Sequence, residues 1–80
     1  MATFQEINSA MTQQDKDIVM AFALSNMHIS NTARRLHYHH RTIHAHLDRV
    51  YKNTRLNPRE FHDLVLLVFA ISDGGVSNAV

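Results

Sequence analysis

Between Ser30 and Val50 the chain reads SNTARRLHYHHRTIHAHLDRV, five histidines and four arginines on a thin apolar skeleton. Such residues can ligate a metal, move protons in catalysis, or lie against the phosphates and base edges of a nucleic acid. Metal chemistry is poorly served. His40 and His44 stand four apart on one helical face, but a structural zinc takes four protein ligands and a catalytic zinc three plus water. With no cysteine and no H-E-x-x-H, no metal and no cofactor is expected. His39 falls where a helix N-cap belongs, while His28 and His62 read as surface or capping residues. Catalysis fares no better: serine, histidine and aspartate are scattered, without a nucleophile elbow or a glycine-rich phosphate loop. A helical domain of 80 residues with a filled core also leaves little room for a substrate pocket. The chain is not expected to be an enzyme, and no small-molecule site is apparent.

Charge favours the polyanion reading. The net charge is only +1, yet from Arg34 to Arg59 seven basic residues stand against one acid, Asp48. The flanks carry one lysine and six acids. That segregation suggests a basic face for a polyanion, with a solvated helix face as the plainer alternative. Readers of single-stranded RNA stack bases on aromatic rings, and only Tyr38 and Tyr51 are near, which weakens the RNA option.

These side chains need a scaffold, and the apolar spacing predicts an all-α one, without strand signals or internal repeats. Residues 1–11 form a short leading helix or a frayed arm, with Phe4, Ile7 and Met11 at helical spacing. Thr12 opens T-Q-Q-D, a capping box, with Asp15 and Asp17 in the first turn of a helix over 13–27. Its core stripe is Ile18, Val19, Phe22 and Ala23. Ser30 is the expected N-cap of a short helix over 31–37, with Ala33 and Leu36 inward and Arg34 and Arg35 outward. A third helix over 40–53 carries Ile43, Leu47 and Val50 at i, i+4, i+7. Pro58 suits the first turn of a last helix over 59–72, apolar nearly all round. Asp73-Gly74-Gly75 should stop it, leaving 73–80 as a loose tail. The whole is expected to be one domain, residues 1–80, a small bundle of four or five helices.

Two helices joined by a turn of three or four residues match a helix-turn-helix, although a generic helical hairpin shows the same apolar positions. Ala33 sits where the helices approach closely, and Leu36, Tyr38, Ile43 and Leu47 supply the wedge between them. The turn position usually held by glycine is His37, a residue that tolerates positive φ. The first turn of a recognition helix enters the major groove. His40, Arg41 and Thr42 are therefore the foremost base-reading candidates, with His44 beside them and Ala45 able to meet a thymine methyl. Arg41 could pair bidentately with guanine. Arg34, Arg35, Arg49, Lys52 and Arg55 read as phosphate contacts. Asp48 sits awkwardly on this face, either pairing with Lys52 at i+4 or accepting from cytosine N4.

The run NTARRLHYHHRTIHAHLDRV resembles the C-terminal helix-turn-helix domain of PucR/CdaR-type regulators of purine and sugar-diacid catabolism. That Fis-like domain has a signature near T-A-x-x-L-x-(I/V)-H-R-N-T-(L/V)-x-Y-R-L. Thr32, Ala33, Leu36, His39, Thr42, Ile43 and Leu47 fall on matching positions. The preceding helix, Leu56-x-Pro58 and the apolar last helix also match, so the resemblance spans roughly 13–72. It implies a double-stranded DNA-binding transcriptional regulator, or the DNA-binding part of one cut from a longer chain. The sequence departs where base contacts are expected: His40 stands for arginine, Arg41 for asparagine, Ala45 for tyrosine and His46 for arginine.

Phe61, Leu64, Val65, Val68 and Phe69 on the last helix are the expected homodimer interface, because a helix apolar on every side must be covered on every side. The competing function is a protein-interaction module that docks a partner through this same helix. The longest apolar run, LVLLVFAI, has eight residues, so no membrane span is expected, and without a secretory signal the protein reads as cytoplasmic.

Overall fold

The computed structural model describes residues 3–74 and is all-helical, with no strand among them. Five helices follow in order: α1 (Phe4–Ser9), α2 (Gln13–Leu24), α3 (Ile29–Leu36), α4 (His40–Thr54) and α5 (Phe61–Gly74). Helix α5 runs through Asp73 to Gly74, two residues past the expected stop, and the remainder of the expected tail, residues 75–80, lies outside the described residues.

Both N-terminal helices begin with capping boxes. Thr12 accepts from the Asp15 amide while Asp15 accepts from the Thr12 amide, as T-Q-Q-D predicts. Thr3 and Glu6 do the same for α1, which makes the leading segment a helix rather than a frayed arm. The T-x-x-E spacing of Thr3 and Glu6 is the sequence signature of this box. Asn8 then fastens α1 to the end of α5, its Nδ2 donating to the carbonyl of Ala70 at 3.2 Å.

The linkers differ from expectation in instructive ways. Helix α2 ends at Leu24, three residues early, because Asn26 and Met27 both take positive φ, 55° and 64°. The amides of Asn26 and Met27 donate back to the carbonyls of Ala23 and Phe22, satisfying the helix end in a Schellman arrangement. The chain re-enters helix at Ile29, so the N-cap of α3 is His28 and Ser30 lies inside the first turn. Thr32, fully buried, bonds its hydroxyl to the His28 carbonyl at 2.7 Å. Pro58 is in the turn before α5, which starts at Phe61 rather than Arg59. That turn is held by the Asp63 carboxylate, which accepts from the Asn57 amide at 2.9 Å.

Helix α2 packs on α3, α4 and α5, α3 on α4, and α1 on α5. The core is the expected set of Ile18, Val19, Phe22, Ala33, Ile43, Leu47 and Val50, closed by Leu64, Leu67 and Ala70 from α5 and by Ile7 and Met11. Leu36 and Tyr38 pack against it from the α3–α4 turn. His37 adopts φ 60°, ψ 40°. Its amide and that of Tyr38 reach the carbonyls of Arg34 and Ala33, a second Schellman arrangement that swings α4 across α3. The architecture is the small helix-turn-helix bundle that the spacing predicts.

Candidate nucleic-acid interface

Because Ile43, Leu47, Val50 and Thr54 face inward, the opposite side of α4 is exposed, from His40 and Arg41 through His44, Ala45 and Asp48 to Lys52. An open groove runs between α3 and the first turns of α4, lined by Ser30, Arg34, His37, Tyr38, His39, His40, Arg41, Thr42 and Ala45. Four of the five base-reading candidates thus meet in one place: His40, Arg41, half-buried Thr42, and Ala45. His44 is exposed but lies outside the groove, with its Nδ1 3.0 Å from Nη2 of Arg59. His39 is the N-cap of α4 by position, yet its side chain caps nothing.

The phosphate candidates divide. Arg34, Lys52 and Arg55 are exposed. Arg35 is also exposed, although its Nε reaches Ser25 Oγ at 3.3 Å. Arg49 is exposed too, but it also has a partner within the fold. Its Nη2 donates to Asp15 Oδ1 at 2.8 Å, which ties one arm of the guanidinium to α2. Asp15, only 1% exposed, demands such compensation for a buried charge.

The same carboxylate claims His46. Nδ1 of His46 lies 2.6 Å from Asp15 Oδ1, so this side chain looks inward rather than outward, where the resemblance places a base contact. A carboxylate only accepts, so His46 Nδ1 carries the proton in that bond. The 3.1 Å approach of Arg49 Nη2 to the same nitrogen is then the third side of a triangle of two donors sharing one acceptor. Burial raises the Asp15 pKa, but hydrogen bonds from Arg49, His46 and the Thr12 amide outweigh it and hold the carboxyl below its ordinary value. Sequence reading places Asp15 in the cap and misses this second role, since a contact 31 residues away leaves no periodic signal.

Asp48 pairs with neither Lys52 nor solvent alone: Arg59 Nη1 donates to its Oδ1 at 2.8 Å. The one acid in the basic segment is neutralised by the last base of that segment. Nothing in the local spacing marks Arg59 for this role.

This geometry is that of a helix-turn-helix whose second helix is exposed and cationic on its outer side. The family model of the PucR C-terminal helix-turn-helix domain matches residues 17–72. The chain belongs to that family. No curated protein and no solved structure matches it. The PucR-type domain is a DNA-binding unit of transcription regulators, and its family is not one of enzymes. The match takes in the α3–α4 pair and α5, while α1 and the Thr12–Asp15 cap precede it. No three histidine, aspartate or glutamate side chains among the described residues come together as a metal site. No described helix is long and apolar enough to cross a membrane.

Helix α5 presents its apolar residues on two sides. Leu64, an expected interface residue, is turned into the core together with Leu67 and Ala70. Phe61 and Phe69 stay 71% and 51% exposed. Between them a groove lined by Ala23, Met27, Leu64, Val65 and Val68 separates α5 from the end of α2.

Proposed function

We propose that residues 1–80 form a single DNA-binding domain that reads duplex DNA sequence-specifically by laying α4 in the major groove. The observation that carries this reading is the groove itself. It gathers His40, Arg41, Thr42 and Ala45 beside Arg34, in a chain whose family binds DNA. Arg41 is suited to guanine O6 and N7, and Ala45 to a thymine methyl. Arg34 and Arg35 at the end of α3, with Lys52 and Arg55 at the end of α4, bracket that helix and suit phosphates on either side of the groove. The amides of the first turn of α4 have no side-chain cap and add a favourable pole for phosphate. Catalysis has no part in this reading.

The exposed Phe61 and Phe69 favour a second component, pairing of two copies through α5. A two-fold dimer would set two recognition helices one turn of DNA apart, ~34 Å. The alternative occupant of this surface is another protein, which would make the chain an interaction module as well.

The test is duplex binding at several salt concentrations. Each phosphate contact contributes about −0.9 to the slope of log K against log salt, so four contacts per copy give roughly −3 to −4. Absence of binding to any duplex at low salt would reject the proposal.

A further inference from the structure

Arg59 lies in the turn between α4 and α5 and folds its guanidinium over the outer face of α4. Nη1 donates to Asp48 Oδ1 at 2.8 Å, and Nη2 lies 3.0 Å from His44 Nδ1 and 3.5 Å from the His44 carbonyl. An arginine has N–H donors and no acceptor, so the contact with Nδ1 is a hydrogen bond only if that nitrogen presents its lone pair. The ring proton of His44 then sits on Nε2. His46, two residues on, is held the opposite way, because its Nδ1 must donate to Asp15. These two imidazoles of α4 are thus set as opposite tautomers by their partners.

We propose that Arg59 is a positioning residue that fixes exposed His44 as an Nε2–H donor, and that His44 thereby selects a base-edge acceptor in the major groove. The acceptors of this class are purine N7, guanine O6 and thymine O4. The inference rests on the DNA-reading role proposed for α4. Cytosine N4 and adenine N6 are donors and would meet a donor. A ring free to turn over or change tautomer could offer Nδ1 to those amino groups, and discrimination would fall. Asp48 supplies the other end of the clamp: it holds one arm of the guanidinium and leaves the other for His44. The pairing also removes the repulsion that a bare carboxylate would exert on phosphate. Arg59 therefore governs specificity without touching a base.

Two measurements test the proposal. Long-range proton–nitrogen correlation of the histidine rings at pH 8 should show His44 with Nδ1 unprotonated and in contact with Arg59, and His46 with Nδ1 protonated. Arg59→Ala should move the His44 ring signals and leave those of His46 in place. A protonated His44 Nδ1, or ring signals indifferent to Arg59→Ala, would overturn the clamp whatever the protein does with DNA. In binding, Arg59→Ala and His44→Ala should each reduce discrimination at the same base pair by at least about fivefold, the low end of a base contact. The double variant should lose no more than either single one. Arg59→Lys, which keeps the charge but not the fork, should not restore discrimination. If Arg59→Ala instead weakened all duplexes equally and added to His44→Ala, Arg59 would be a phosphate contact and the proposal wrong. Failure of the unaltered chain to bind any duplex would defeat the base-reading half together with the proposed function, the ring measurement still judging the clamp.

Discussion

His46 Nδ1 meets Asp15 Oδ1 across 2.6 Å and joins the middle of α4 to the first turn of α2. The other oxygen of that carboxylate accepts from the Thr12 amide at 3.1 Å and closes the capping box of α2. One buried side chain therefore caps one helix and sets the position of another. An aspartate at N3 is shorter than the usual glutamate, and the deep seat it occupies brings α4 within reach of it. Arg49, 46% exposed, completes the charge balance.

Asp15→Asn and Arg49→Ala should both destabilise the fold, by about 1.5–3 kcal/mol for the loss of hydrogen bonds to a charged group. The pH dependence follows from the lowered carboxyl pKa. An unfolded aspartate titrates near ~3.9, so the unfolded chain binds the proton at a pH where the folded chain does not. The stabilisation is complete above that value and is lost as pH falls through the lower folded pKa. Urea unfolding between pH 7 and pH 2 should show this loss in the native chain and a flatter profile in Asp15→Asn. Equal slopes would mean that Asp15 has no linked role.

The sequence made the helices and the core legible because each is written in local spacing. Ile43, Leu47 and Val50 repeat at helical intervals, and all three are buried. Thr12 and Asp15 lie three apart, and the capping box is there. What spacing could not carry is long-range polar pairing. Arg49 and His46 look like surface residues of a basic helix, yet both turn to an acid more than thirty residues earlier. Arg59 is eleven residues from Asp48, so an i+4 rule points to Lys52 instead. The helix limits around Met27 and Ser30 slipped for a local reason, two successive left-handed residues without glycine. Most of the groove was legible, since inward apolar residues fix which side of α4 faces out.

His37 holds the left-handed position that turns α3 into α4, at φ 60°. A β-carbon there costs about 1–2 kcal/mol, which glycine avoids, while glycine loses about 0.5–1 kcal/mol to unfolded-chain freedom. His37→Gly should therefore be neutral or raise Tm by a few degrees. His37→Val should lower it, because a branched side chain fits this region worst. Thermal unfolding of the two variants decides the matter: a stabilising valine would show that the turn is not held as described.

Phe61 and Phe69 border the apolar groove between α2 and α5 without sealing it. Two copies pairing there should give a dimer in light scattering at high micromolar concentration. Phe61→Ser with Phe69→Ser should yield a folded monomer, since exposed positions change stability by only about 0.5 kcal/mol. A native monomer under those conditions removes the homodimer and leaves the surface to another partner.

If α4 reads DNA as proposed, Arg41 and Lys52 should divide the labour of binding along it. Arg41 projects from the first turn, inside the groove that holds His40, Thr42 and Ala45. Lys52 is exposed three turns on, in the last turn of the helix. Arg41→Ala should cost about 1–3 kcal/mol on the preferred site and relax discrimination at one base pair. Lys52→Ala should weaken all duplexes alike and make the salt slope shallower by about 0.9. Neither variant should change the unfolding midpoint appreciably, because neither residue is buried or hydrogen-bonded within the core. Ile43, fully buried on the opposite side of the same helix, is the contrast. Ile43→Ala should destabilise by about 2–5 kcal/mol and lose DNA only through unfolding, so binding should return at low temperature or with a stabilising osmolyte. Selection of duplexes from a random pool, repeated with each variant, separates these outcomes. If Arg41→Ala weakened preferred and random duplexes by the same factor, the first turn of α4 would not be the reading edge.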